Sequence, residues 1–444
     1  MSAPVVLGAL VALGTAWAVP RWLPPAVVRL REWVFARVNG AEGIPVPGPT
    51  VGVEHFERLY ADPAADGRSR GAGLSDLFWY WLSPGAHMHQ EHLEPGERYR
   101  VVAGTTRRVL AVRQPRADDL TTAATRRVLD GLPAGRTQHV RLRDLMMPVW
   151  AEVCYELVFD EACPADARAL IVANATDVVA ALKCTGLRHL RRRDPLTRYL
   201  RDRVDAGTCP VTLPPPFTAQ ETAWYLHGAF FTTAVVQMSE AMAHVLLDLA
   251  THPERQRGLD DAALDRAIDE SLRLHPLFGV AHRITSAPIT LPTGVSLPTG
   301  SVLLFNYPAF QRAGAADDRF DPDRWRTLTR RDAHFVPYGI TANRACPARG
   351  VAPVMLRAAT REVLRRYALS SSVSHSRSLP SRGPAYLTPV GFAGPGRLRL
   401  GVMRWRDRWA DVGRSVRQLV FGAWMVVDAR RLRLCGNYFE ETAR

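Results

Sequence analysis

Phe335-Val-Pro-Tyr-Gly-Ile-Thr-Ala-Asn-Arg-Ala-Cys346-Pro-Ala-Arg-Gly350 is an irregular loop that runs into a helical pattern. A cysteine in that position suits a thiolate metal ligand. The positive end of a helix and its unsatisfied N–H groups both favour the anion. Arg344, two residues earlier, adds a positive charge available to an anionic cofactor. A lone cysteine means little, since most are small buried hydrophobes. The rest of the chain has to make the case.

Upstream, Glu270-Ser-Leu-Arg273 sets a carboxylate and a guanidinium three apart on one helix face. Such pairs are common by chance on solvated helices. Phe320-Asp-Pro-Asp-Arg-Trp325 then supplies Arg324 inside a rigid aromatic and proline turn. A glutamate accepting from both arginines makes a charge-assisted network that pins the β-rich portion and so holds the cysteine loop.

Taken together, in order and at these spacings, the residues resemble the heme-thiolate monooxygenases, the cytochrome P-450 family. The resemblance covers roughly residues 45 to 400 and is strongest from Thr251 to Tyr367. It implies Glu270, Arg273 and Arg324 as a structural triad and Cys346 as the proximal ligand to the iron of heme b. It implies further that Arg283, in Val280-Ala-His-Arg283, and Arg344 pair with the heme propionates. In the family's central helix an acid and an alcohol deliver protons. Here the stretch reads Gly228-Ala-Phe-Phe-Thr-Thr233. Thr232 fits the alcohol position, as candidate catalytic residue, while Phe231 fills the acid position and cannot relay a proton. Both phenylalanines are also readable as core packing. The cysteine loop departs as well, with one extra residue before Cys346, Thr341 near an expected glycine and Ala348 in place of another. The family's early heme contact has no clear match; Tyr99 to Arg108 is the expected neighbourhood.

The pattern of apolar residues gives a mainly α fold with a smaller β-rich portion, like the cytochrome P-450 fold. Helical spacing dominates from about Ser75 to Ala250. Thr218-Ala-Gln-Glu221 is a capping box opening a helix that runs to about Ala250. Ala262 to Leu274 is a helix stopped by His275-Pro276. Val280 to Tyr307 reads as short strands between Leu-Pro-Thr-Gly turns. A helix resumes after Cys346 to about Tyr367, and Ser370 to Gly383 is a polar loop.

Composition bounds the rest. The chain has 444 residues, 47% hydrophobic and 23% charged, with a net charge of +14. Lys183 is the one lysine, so the positive charge is nearly all arginine, as in a GC-rich bacterial genome. No aromatic-interleaved basic stripe is present, which excludes nucleic acid as a partner. The six cysteines have no short regular spacing, against both a disulfide framework and a zinc site.

No charged side chain precedes Arg21, and Ala3 to Val19 is almost entirely apolar, at the lower limit for spanning a bilayer. Ala16-Trp17-Ala18 resembles a cleavage site, but a positive n-region is missing. The expectation is an N-terminal membrane anchor at 1–25, then a basic amphipathic stretch and proline-rich linker at 26–49. Arginines at 29, 31 and 37 hold that side cytoplasmic. A heme-thiolate catalytic domain follows at 50–402 and a basic amphipathic extension at 403–444, read either as a second membrane contact or as a helix packed on the domain.

The resemblance implies an oxidase at the cell membrane acting on a small apolar, specialised-metabolite substrate such as an antibiotic precursor. Hydrogen abstraction would lead to hydroxylation, or to cyclisation, coupling or desaturation. A ferredoxin-type carrier would supply electrons. The alternatives are a reductase-independent heme-thiolate isomerase or peroxygenase, and a non-catalytic membrane-bound scaffold.

Overall fold

The computed structural model describes residues 3–39, 43–314, 317–340, 343–373, 375 and 382–442. Helix α1 (Ala3–Asn39) and strand β1 (Ile44–Val46) lead into α2 (Phe56–Ala61), α3 (Gly73–Leu82), α4 (Glu97–Val109) and α5 (Gln114–Asp130). Strand β2 (Gln138–Arg141) precedes α6 (Leu142–Phe159), α7 (Ala165–Leu182) and α8 (Leu190–Asp205). The central helix is α9 (Ala219–Leu226), a π-helical segment His227–Ala234, and α10 (Val235–Thr251). Helix α11 (Asp261–Leu274) comes next, with β3 (Val280–Ile284), β4 (Ile289–Thr290), β5 (Ser296–Leu297), β6 (Val302–Asn306) and α12 (Tyr307–Arg312) after it. Helix α13 (Ala352–Arg366), β7 (Tyr367–Ser370), β8 (Pro384–Pro389), α14 (Arg397–Leu432) and α15 (Leu434–Thr442) complete the chain.

The central helix is the axis of the core. Its start is fixed by reciprocal capping: the Glu221 N–H donates to Thr218 Oγ1 at 3.1 Å, and Glu221 Oε2 accepts from the Thr218 N–H at 2.9 Å. Beyond the π segment Ala241 to Ala250 are buried without a break, His244 and Asp248 included, so this part of the helix lies inside the protein. It packs on α6, which contributes the fully buried Trp150, Val149 and Tyr155.

The β-rich portion is small. Strand β6 pairs antiparallel with β3 and parallel with β1, while β8 lies between β2 and β7. The segment expected to be a stiff linker is therefore an edge strand, with Ile44 opposite Leu303 and Val46 opposite Phe305. Val46 and Phe305 are fully buried, which is why the segment docks.

The chain ends fold back onto the body. Helix α1 is one helix to Asn39, running past position 25 despite Pro20, Pro24 and Pro25. It lies along α14, where Arg31 Nη1 donates to Gln418 Oε1 at 3.0 Å. Helix α14 buries Met403, Met425 and Ala429 yet turns Trp405, Val420 and Trp424 outward. Helix α15 covers α3: Asp76 Oδ1 accepts from the Cys435 N–H at 2.8 Å, and Trp79 packs on Tyr438 and Phe439. The C-terminal extension is thus part of the fold.

Candidate functional site

Glu270 is fully buried on α11 and every lone pair is engaged. Arg273 donates from Nε and Nη2 at 2.9 Å each, a bidentate pair. Arg324 Nε donates to Oε1 at 2.9 Å and Trp325 Nε1 to Oε2 at 3.0 Å. The expected triad residues are in contact, joined by a tryptophan that the sequence pattern did not single out. Gln311 extends the network. Its amide donates to the Arg273 carbonyl at 2.7 Å, and its Oε1 accepts from the Val336 N–H at 3.4 Å, at the base of the cysteine loop.

Cys346 lies in that loop, ahead of a turn at 347–350, so α13 begins six residues later than a direct helix start would require. The Cys346 N–H donates to the Tyr338 carbonyl at 2.9 Å. Burial pushes the thiol up to about 11, although the N–H groups of Ala348 and Arg349 face the sulfur and pull the other way. Without a metal, desolvation outweighs these dipoles; a bound metal ion reverses that balance, because a coordinating thiol deprotonates. Arg344 takes a left-handed backbone with φ 52°, bending the chain two residues before the cysteine. Thr341, the expected glycine position, lies outside the described residues.

Arg283 and Arg344 are brought together with a third arginine, Arg68. Arg344 Nη1 donates to the Leu93 carbonyl at 2.7 Å and its guanidinium covers the Tyr99 ring at 3.7 Å. Arg283 lies over Tyr60 at 4.0 Å and reaches the Ala65 and Asn343 carbonyls at 3.3 Å. Arg68, almost fully buried, is pushed down to about 9 by burial and then by the charges of Arg283 and Arg344. None of the three forms a salt bridge among the described residues. Buried donors remain unused on Arg68 Nε and Nη2, Arg283 Nε and Arg344 Nη2, and both ring nitrogens of His92 are without partners.

The segment from His89 to Leu93 connects this cluster to the central helix. His89 Nε2 meets Thr233 Oγ1 at 2.5 Å, and the His89 and His92 rings lie 5.2 Å apart. The Glu91 N–H donates to His89 Nδ1 at 3.4 Å, which leaves Nε2 as the protonated nitrogen donating to Thr233. Thr233 in turn donates to the Gly228 carbonyl at 2.8 Å, a five-residue step. That step is the π-helical widening, which rotates the downstream register.

Ala229, Thr233 and Gln237 consequently share the incompletely packed face of a helix otherwise deeply buried. Thr232 points elsewhere. Its Oγ1 accepts from Asn174 Nδ2 at 3.0 Å, in a buried chain through His227 to Thr197. Phe231 is fully buried and stacks on Phe159, and Phe230 meets Tyr225 edge-on. Both phenylalanines are core. Sequence spacing missed Arg68, His89, His92 and Thr233; the run His87-Met-His-Gln-Glu-His92 was the available signal.

Comparison with solved structures finds P450BioI, crystallised with an acyl carrier protein bearing hexadec-9Z-enoic acid. It is 15% identical with a TM-score of 0.59, covering 76% of this chain and 91% of that one. Cytochrome P450SP alpha gives a TM-score of 0.62 at 16% identity, covering 77% and 90%. This is the cytochrome P450 fold. Residues 262–389 also match the cytochrome P450 family model. Cytochrome P450 monooxygenase alnD of Emericella nidulans is 35% identical over 111 residues, covering 23% of this chain and 20% of that protein. Cytochrome P450 4A12 of Rattus norvegicus is 28% identical over 203 residues, covering 40% and 38%. The aligned segments thus span a fifth to two-fifths of these curated relatives. Over these segments the chain is similar to the cytochrome P450 family, whose proteins bind heme through a cysteine thiolate.

The residues present fit that group. Three buried guanidiniums with unspent donors, beside His92, require an anion, and the two carboxylates of heme supply it. The Cys346 sulfur, faced by the N–H groups of Ala348 and Arg349, is a donor that a bound metal would hold as thiolate.

Proposed function

We propose that this P450-fold chain is a membrane-associated heme-thiolate oxidase acting on a small apolar, specialised-metabolite substrate. The observation that carries the reading is the Arg68, Arg283 and Arg344 cluster, which makes no salt bridge among the described residues, keeps buried donors unused and lies against the Cys346 loop. In this reading Cys346 Sγ would ligate the iron, and the three arginines and His92 would hold the propionates. Bound heme supplies the oxidative chemistry, hydrogen abstraction included.

The chain's own residues supply the rest. The Glu270 network fixes the cysteine loop through Gln311. Thr233, on the open face of the central helix, takes the alcohol role that the motif assigned to Thr232. His89 takes the acid role vacated by Phe231, holding a proton on Nε2 at Thr233 Oγ1. Glu91, exposed and two residues away, connects His89 to solvent. A proton route of this kind favours an electron-fed oxidase over the isomerase and scaffold readings. Exposed Arg330, Arg331 and Arg349 flank the cysteine loop and suit an acidic carrier such as a ferredoxin. The fatty-acyl ligand of P450BioI is consistent with an apolar substrate.

Membrane association rests on α1. Pro4–Arg31 is long and apolar enough to cross a bilayer and is unburied, with Leu7, Leu10, Val11 and Trp17 more than half exposed. The central helix passes the same test but is enclosed by protein, so it is core.

The deciding experiment is the carbon monoxide difference spectrum of the reduced, heme-reconstituted chain. A thiolate-type Soret band is expected and Cys346→Ala should abolish it. Persistence of that band in the variant overturns the ligand assignment.

A further inference from the structure

Away from the cysteine loop, three histidines from separate elements meet at the far end of the central helix. His244 lies on α10, His275 directly follows α11, and His375 follows β7. His244 is eleven residues beyond Thr233, about 16 Å along a helix at 1.5 Å per residue. The heme-facing residues are therefore not involved. The rings stack nearly parallel: His275 on His375 at 3.6 Å and 7°, His244 on His275 at 4.9 Å and 14°, and His244 on His375 at 5.1 Å. One ligand nitrogen from each lies within 4.8 Å of the others.

Asp248, one turn after His244 and only 3% exposed, adjoins two of the three rings. Its Oδ1 lies 3.4 Å from His275 Nε2 and 3.4 Å from His375 Nδ1. Asp248 Oδ2, His244 Nδ1 and His375 Nε2 are buried without partners, and no arginine or lysine pairs with the carboxylate among the described residues. A buried carboxylate requires a counter-charge. Its nearest side chains are the imidazoles of His275 and His375, which offer nitrogen ligands to a cation. His244 also has the outer partner typical of a ligating histidine: its Nε2 faces Glu240 at 3.8 Å, leaving Nδ1 turned inward. Glu240 is itself anchored by Lys183 at 2.8 Å and Arg143 at 3.1 Å.

We propose that His244, His275, His375 and Asp248 form a structural divalent-metal site that clips together the ends of α10 and α11 and the segment after β7. Three nitrogens and one carboxylate oxygen suit tetrahedral Zn²⁺.

The test uses the full heme-loaded chain, stripped with a chelator and titrated with Zn²⁺ against a competing indicator. Bound metal is then measured by elemental analysis. Wild type should retain about one equivalent, and His275→Gln, His375→Gln and Asp248→Asn should each weaken binding about tenfold or more. His375→Cys, which restores a ligand, should recover retention, with heme content and far-UV circular dichroism confirming the fold throughout. Zinc retention by wild type equal to that of a His275→Gln and His375→Gln double variant overturns the proposal. So does failure of His375→Cys to exceed His375→Gln.

Discussion

At the scale of single residues, the chemistry turns on which side chain of the central helix faces the open side. His89→Phe should lower product formed per electron consumed by about 10²-fold, the usual weight of a positioned acid–base group. Thr233→Ala should act in the same direction without adding to it, since the two residues form one hydrogen bond. Thr232→Ala should instead lower stability by about 1 kcal/mol through its Asn174 contact. Coupling measured with a ferredoxin system separates these outcomes, and equal coupling loss in Thr232→Ala would sink the assignment. Glu270 and Arg273 were legible because a spacing of three persists as a contact on one helix face, whereas Arg324 and Cys346 were read from the family resemblance. Arg68 and His92 were not legible: Arg68 meets Arg283 and Arg344, and His92 meets Arg68 and His282, through contacts that no local pattern reveals.

Among the elements, the π segment His227–Ala234 explains why a motif reading and the structure part company. The motif resemblance put Thr232 at the alcohol position; in the π segment Thr232 is buried against Asn174, while Thr233 is only partly buried and meets His89. Local propensity carries no signal for such a segment, whereas the capping box at Thr218 and the stop at His275-Pro276 are local and were read correctly. The edge strand Ile44–Val46 was hidden for a related reason, since its proline-rich surroundings look like a linker until Leu303 to Phe305 pair with it. Restoring an acid at the motif position should therefore not restore proton delivery. Phe231→Asp places a carboxylate against Phe159 and should destabilise the fold by about 3–5 kcal/mol, the range for losing a buried phenyl ring. Denaturant titration measures this; a stable variant with improved coupling would show that residue 231 faces the reacting centre.

Across the whole molecule, acid sensitivity follows from two buried histidines. Burial holds His227 down to about 3 and His282 to about 4, against an ordinary value of 6.5. The unfolded chain then binds more protons than the folded one from pH 6.5 downward, so stability falls as pH drops through that window. Each unit of depression is about 1.4 kcal/mol. Urea midpoints at pH 7 and pH 5 should show the loss, and His227→Gln should shrink it. The outward apolar residues of α1 and α14 make a second expectation at this scale. Wild type should sediment with lipid vesicles, and removal of residues 1–25 should reduce that fraction several-fold. Unchanged sedimentation would assign the binding to Trp405, Val420 and Trp424 of α14.

Arg31 meets Gln418 across 387 positions of sequence. During translation at about 5–20 residues per second, α1 leaves the ribosome roughly 20–80 s before the surface it rests on exists. Throughout that interval the face of α1 that comes to rest on α14 lacks that partner. A polypeptide built in this order parks α1 elsewhere, in lipid or on a chaperone, until α14 is delivered.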